Sequence, residues 1–451
     1  MINFYFLKHP RFSKICNIAI IILTYVMIIV RFLLNEKGRV NPDSIRYMRQ
    51  ANMLPIIDNT TAPLGYPFEI WLFTNLGLDE FWSSKLVGLI AYTLMLIFAY
   101  RKDFYFKEVV MMSALFSFVS VFSYTMSEAP ILPFVFFLLY YSKQTIDANI
   151  PGIKSVLMLS LLLIICYNFR YSALFLMAGL GWFGLLKIKT RYGKYFILSA
   201  SLGLMFIIGF KFLYVDYFNE DYVNDFLNIG VKPTSLLLTE LWQGLATTYN
   251  PFVHIADPSG GIVNYGIYGI GIINILVILY FVVKSKNTAF DELLLWTGFV
   301  GLACSFLVQY FYSVNPIDYR LLAPFSLSIW MYYFKKLIER FGNLAYWVPL
   351  GSLLTGFAFT YLSKGNYLEN RKEIKAFLKS ENMENTDILF YLKSREDLAN
   401  IRAAEIISTV NPKINLTFSA KDTLNPRVLT PYRVDSKLKI KRNQFQKFDK
   451  K

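Results

Sequence analysis

Histidine is almost missing from this chain: His9 and His254 are the only two among 451 residues. Neither a histidine-rich metal centre nor a Ser-His-Asp hydrolase constellation is readily built from that supply. Cysteine is nearly as scarce. Cys16, Cys166 and Cys304 are far apart and sit within or beside apolar runs, which argues against a disulfide framework and against a zinc site. Charged residues make up only 17% of the chain, and no internal repeat or low-complexity segment is present. That excludes a soluble enzyme of this length, in which Asp, Glu, Lys and Arg would supply about a quarter of the residues.

Apolar and aromatic residues take their place. Hydrophobic residues make up 55% of the chain, with 41 Phe and 31 Tyr, and the mean hydropathy is +0.40. Runs of membrane-spanning length fall near 15–34, 83–100, 108–123, 127–142, 153–169, 171–188, 195–214, 267–284, 293–312, 319–335 and 344–363, which predicts about 11 transmembrane helices. The first run is too long for a signal peptide and passes into Arg31-Phe32-Leu33-Leu34 without a small-residue cleavage site, so it reads as a retained helix.

The formal charge of +15 would suggest nucleic acid in a soluble protein. In a polytopic chain it reports orientation. With the N-terminus in the cytoplasm, the inner segments hold 17 Lys and Arg and the outer ones 10 over a greater length, so this orientation is preferred. It exports two long loops, about 35–82 and 215–266, and places the tail from Lys364 to Lys451 outside. The tail carries 19 basic and 11 acidic residues, yet its pattern is that of a small α/β unit and not a polybasic tether. Asp387 to Leu392 reads as a strand, 395–408 as a helix and Lys413 to Phe418 as a second strand. The expected domains are therefore 1–363, a transmembrane module, and 364–451, a small soluble domain.

Ionisable residues at the outer ends of spans are the functional candidates, because charge at membrane depth is costly. Asp43 opens the first exported loop in Asn41-Pro42-Asp43-Ser44, where Pro42 suits a first helical turn and the helix N-terminus favours an anion. It reads equally as a cap or as a working carboxylate. Glu128, in Ser127-Glu128-Ala129-Pro130, falls in a very short outer turn and has the same two readings. Arg170 and Arg320, each at an outer helix start, are either snorkelling anchors or site residues. The second long loop holds Trp242, Tyr249-Asn250-Pro251-Phe252 and His254, which suit sugar stacking or a re-entrant loop alike. Asn59-Thr60-Thr61 and Asn415-Leu416-Thr417 match the glycosylation acceptor pattern.

One span, an exported loop opening on Asp43, an outer turn with Ser127-Glu128, Arg170-Tyr171 at a later helix start and Arg320-Leu321-Leu322-Ala323-Pro324 late in the chain together resemble the GT-C superfamily of integral-membrane glycosyltransferases. The closer likeness is to bacterial relatives of protein O-mannosyltransferases and lipid A aminoarabinose transferases, and it covers most of residues 1–363. Leu64-Gly65-Tyr66-Pro67 is similar to the Pro-Gly-Tyr-Pro of many members, with Leu64 in place of the first Pro. Where many relatives carry Asp-Glu, this chain has Asp43-Ser44, so the acidic pair that would hold a metal is incomplete and no cofactor is indicated, which leaves a divalent cation an open alternative.

The resemblance implies an inverting transfer from a polyprenyl-phosphate sugar to a hydroxyl of a glycan, lipid or protein at the outer face of the plasma membrane. A lipid phosphate leaves without a protonating acid, so one base suffices. On this reading Asp43 is the base and Glu128 a helper that orients the acceptor or the surroundings of Asp43. Arg170 and Arg320 hold the phosphate, and Tyr47, Tyr66, Tyr171, Tyr319, Trp242 and His254 contact substrate. The partners are the lipid-linked donor, the acceptor and membrane lipids, without nucleic acid. The competing readings are an O-antigen or capsule polymerase or ligase, which would be expected to place Arg and His in a later loop, and a polysaccharide or lipid transporter, which would be expected to show pseudo-repeats or broken, charged helices.

Overall fold

The computed structural model describes residues 10–34, 40–57, 61–220, 233–256, 261–312, 317–394, 397–424 and 428–429. Parts of both long loops, and Asn59-Thr60 of one acceptor tripeptide, lie outside these residues. The chain is a polytopic helical membrane protein with a small parallel sheet near its C-terminus. In chain order the helices are α1 Pro10–Leu34, α2 Pro42–Met53, α3 Gly65–Thr74, α4 Glu80–Arg101, α5 Phe106–Ser113, α6 Phe116–Ser123, α7 Glu128–Ile146, α8 Gly152–Phe169, α9 Leu174–Leu186 and α10 Arg191–Phe210. They continue as α11 Thr234–Thr248, α12 Ile262–Lys284, α13 Ala289–Phe311, α14 Tyr319–Phe341, α15 Trp347–Leu362, α16 Tyr367–Ser380 and α17 Leu398–Ser408. The strands are β1 Ile388–Tyr391, β2 Ile414–Thr417 and β3 Val428–Leu429.

Every predicted span falls on helix. By length and composition, 6 helices among the described residues are long and apolar enough to cross a membrane, or 7 counting one bent pair. The others differ for identifiable reasons. The expected span 108–123 is two eight-residue helices, α5 and α6, bent by 77°. Neither Gly nor Pro marks the break. A tertiary contact stabilises it instead: Ser352 Oγ accepts the Phe116 N–H that starts α6, at 2.8 Å. Nearly every side chain of α5 and α6 is buried, so packing compensates for the interrupted ladder. Helix α14 is buried along most of its length, and its apolar surface faces protein instead of lipid.

The chain forms two compact units. The first combines Met1–Ile28, Leu89–Phe122 and Ser127–Ala358 and holds most of the bundle. Helix α14 runs through its interior, and α13 packs closely on it because Gly298 and Gly301 face Ile329 and Phe325. A Cβ at Gly301 would meet the Phe325 ring at 2.3 Å, so only glycine fits. At the far end of α14 from Arg320, about 22 Å along the helix at 1.5 Å per residue, Lys335 and Lys336 reach the buried Asp291 at 2.7 and 3.3 Å. That ionic cluster fixes the start of α13 to the end of α14.

The second unit combines Ile29–Gly88, Ser123–Met126 and Phe359–Lys451. Its three-stranded sheet has the order β2-β1-β3, with both pairings parallel and Ile388 opposite Ile414. Helix α17 makes the β1-to-β2 crossover, as the strand-helix-strand reading of the tail predicts. One core joins Ile45 and Met48 of α2 and Phe81 of α4 to Tyr367, Ile374 and Phe377 of α16, Phe390 of β1 and Ile407 of α17. The tail therefore shares its core with the first loop. Arg371 of α16 adds polar ties, donating to Thr409 O at 2.9 Å and pairing with Asp79, which also accepts the Trp82 N–H at the start of α4.

A single hydrophobic core cannot straddle a bilayer. Its two chain segments lie on the same side, which requires an even number of crossings between Leu34 and Phe359.

Candidate anion site in the membrane-spanning unit

Three of the charged candidates meet. Glu128 is the first residue of α7 and is wholly buried. Arg170 ends α8 in extended conformation, φ −159° and ψ 125°, before a short 3-10 turn that leads into α9. That break in the helix turns its side chain out of the α8 ladder. The Arg170 Nε donates to Ser172 Oγ at 2.8 Å, and its Nη1 lies 2.7 Å from Glu128 Oε1. Arg320 sits in the first turn of α14, where Asp318 Oδ1 caps the helix by accepting from Arg320 N and Leu321 N at 3.1 and 2.9 Å. Its Nε lies 3.4 Å from the same Glu128 oxygen.

Two guanidiniums thus share one buried carboxylate. Both arginines stay ionised at any physiological pH. Their side chains keep 15% and 14% of their surface exposed, whereas Glu128 keeps none. The carboxylate braces both cations. Such a pair can bind an oxyanion with several directed N–H donors and can stabilise negative charge that develops there.

The aromatic candidates are distributed around this cluster and beyond it. Tyr171, next to Arg170, packs on Tyr167 with ring centroids 5.0 Å apart. Tyr319, next to Arg320, lies against the His254 ring at 3.9 Å, and His254 is 4% exposed. Trp242 packs edge-on against Tyr268 at 4.9 Å.

Asp43, Tyr47 and Tyr66 belong to the other unit. There the α2 N-terminus carries a reciprocal capping box: Asn41 Oδ1 accepts from Ser44 N at 3.1 Å and Ser44 Oγ accepts from Asn41 N at 3.0 Å. Asp43 stands half-buried in that first turn, and Tyr66 packs edge-on to Tyr47 at 5.2 Å.

The same unit contains two polar residues with roles that the sequence pattern did not single out. Ser44 Oγ also donates to Thr125 O at 2.7 Å. Lys85, counted only as an outer-side charge in the sequence, is 1% exposed and donates to Ser123 O and Thr125 Oγ1, both at 2.9 Å. The signal available for Lys85 was a single cation inside an apolar helical run. The segment Ser123–Met126 is thereby held by Ser44 and Lys85 together.

No family profile and no curated protein matches the chain. Among solved structures it is similar to ArnT from Cupriavidus metallidurans bound to undecaprenyl phosphate, with 15% identity, a TM-score of 0.46 and coverage of 92% of this chain and 90% of that one. It is also similar to the apo state of the same protein, with 13% identity, a TM-score of 0.38 and coverage of 92% and 89%. Neither likeness supplies a residue role to this chain.

Proposed function

We propose that this protein is an inverting glycosyltransferase that moves a sugar from a polyprenyl-phosphate donor to a hydroxyl acceptor at the outer face of the plasma membrane. The observation that carries the reading is the Glu128-braced pair Arg170 and Arg320, two guanidiniums brought together at the end of α8 and the start of α14. A lipid phosphate would present its oxyanion to such helix ends, with the prenyl chain among the spans.

In this reading the two guanidiniums hold the phosphate and take up charge as the bond from the anomeric carbon to the phosphate oxygen breaks. Glu128 orients the guanidiniums. Asp43 is the base: it accepts the acceptor's hydroxyl proton as that oxygen forms the new bond to the anomeric carbon. The bonding electrons leave with the phosphate, and attack from the opposite face inverts the configuration.

The test is release of free polyprenyl phosphate from a panel of polyprenyl-phosphate sugars by the full chain in proteoliposomes. Asp43→Asn and Arg320→Ala should each lower release by about a hundredfold or more at unchanged protein level, as loss of a catalytic base or of one oxyanion donor does. Unchanged release by both variants would refute the reading.

A further inference from the structure

We infer that His254 is a positioning residue for the anion site, fixing the first turn of α14 and through it the Arg320 guanidinium. The inference rests on the anion-site reading of Glu128, Arg170 and Arg320.

Helix α14 begins with little support of its own. Pro324 lacks the N–H that would bond the Arg320 carbonyl one turn back, so the turn carrying Arg320 is missing a ladder hydrogen bond. Asp318 caps the turn from one side. The His254 ring supports it from another, with its centroid 3.9 Å from that of Tyr319. Tyr319 and Arg320 are consecutive residues of one helical turn, so displacement of the first moves the backbone of the second.

The imidazole is itself held from several directions. Its ring centroid lies 4.4 Å from that of Phe116, the first residue of α6. Its Nε2 lies 3.1 Å from Ser120 Oγ. Because the Ser120 hydroxyl donates its proton to Phe116 O at 2.7 Å, its oxygen is the acceptor and the ring nitrogen carries the hydrogen. The segment bearing His254 is also tied down. Asn250 Oδ1 accepts from Phe252 N and Val253 N at 2.8 and 3.0 Å, Asn250 Nδ2 donates to Ile267 O at 2.8 Å, and Thr355 Oγ1 donates to Phe252 O at 2.7 Å. His254 is therefore a wedge seated between α6 and the start of α14.

The leverage lies in the two ion-pair distances. Arg170 approaches Glu128 to 2.7 Å, well inside contact, whereas Arg320 stands at 3.4 Å. A shift of about an ångström in the first turn of α14 would take Arg320 beyond the ion-pair range of about 4 Å and leave Arg170 in place.

The test uses undecaprenyl phosphate as the probe and its binding to the full chain in lipid nanodiscs as the readout. His254→Ala should weaken binding about tenfold, while His254→Phe, which keeps a ring against Tyr319 and Phe116, should stay within about threefold of the natural protein. In an Arg320→Ala background His254→Ala should weaken binding no further, because its effect passes through Arg320. Should His254→Ala fail to accumulate, His254→Gln, which loses the ring that packs on Tyr319, replaces it with the same expectations.

Wild-type binding by the His254 variants alongside weak binding by Arg320→Ala would overturn the positioning role and leave the anion site standing. A further loss in the Arg320→Ala background would also overturn it, by showing a merely structural contribution. Wild-type binding by both Arg170→Ala and Arg320→Ala would remove the anion site itself.

Discussion

Replacing Glu128 by Gln tests the brace directly, because the two side chains have nearly the same shape and only the charge is lost. At an effective dielectric constant of about 20, unit charges 2.7 and 3.4 Å apart attract by about 6 and about 5 kcal/mol before desolvation is counted. Measured losses on breaking a buried ion pair are smaller, about 3–5 kcal/mol, because the partner relaxes and recruits water. Both arginines are partly exposed, which places the expected loss near the lower end, about 3 kcal/mol. At about 2–4 °C per kcal/mol for a large domain, the melting temperature of the detergent-solubilised chain should fall by roughly 6–12 °C. The distances also fix the order of coupling. A double-mutant cycle between Glu128→Gln and Arg170→Ala should show a larger interaction energy than the cycle with Arg320→Ala. A change under about 2 °C for Glu128→Gln, or strict additivity in both cycles, would refute the brace.

Further predictions concern the other unit. Ser44→Ala removes half of the capping box and the tie to Thr125 O, and should cost about 1–2 kcal/mol, read as a lower midpoint in thermal unfolding. Burial pushes the Glu69 carboxyl up to about 8, so the folded chain holds a proton that the unfolded chain releases near the ordinary carboxylate value of 4.5. Stability from this group is fully present below about pH 4.5 and is lost as pH rises through about 8. Glu69→Gln should flatten that slope in thermal melts between pH 5 and pH 9, and a slope as steep as the natural protein's would discount Glu69 as its source. Cysteines introduced at Asn52 and Asn415 should react with an impermeant thiol reagent from the same face of sealed vesicles; labelling from opposite faces would break the shared core of α2 and the tail.

The helices were legible because lipid demands it: a spanning segment must satisfy its backbone internally and present apolar side chains, so its length and composition mark it. The 108–123 run misled because its bend is held by Ser352, a residue more than two hundred positions away, and no local residue signals it. Arg170, Arg320 and Glu128 stood out as costly charges beside apolar runs, but that the carboxylate faces both arginines depends on how α7, α8 and α14 pack. His254 read as a loop residue suited to sugar, and its burial between Phe116 and Tyr319 follows from contacts remote in sequence. Lys85 passed as an outer charge for the same reason.

Sequence by itself determined a membrane bundle, the places where its helices fall, the strand-helix-strand character of the tail and the short set of polar residues able to do chemistry. These follow from solvent partition and local periodicity, which each segment expresses alone. Tertiary structure decided the rest. It gave the tail and the first loop one core, broke α5 from α6, and turned two separate arginines into one site around a buried acid. Those outcomes depend on which apolar faces and which opposite charges meet at long range, and only the packed chain determines that.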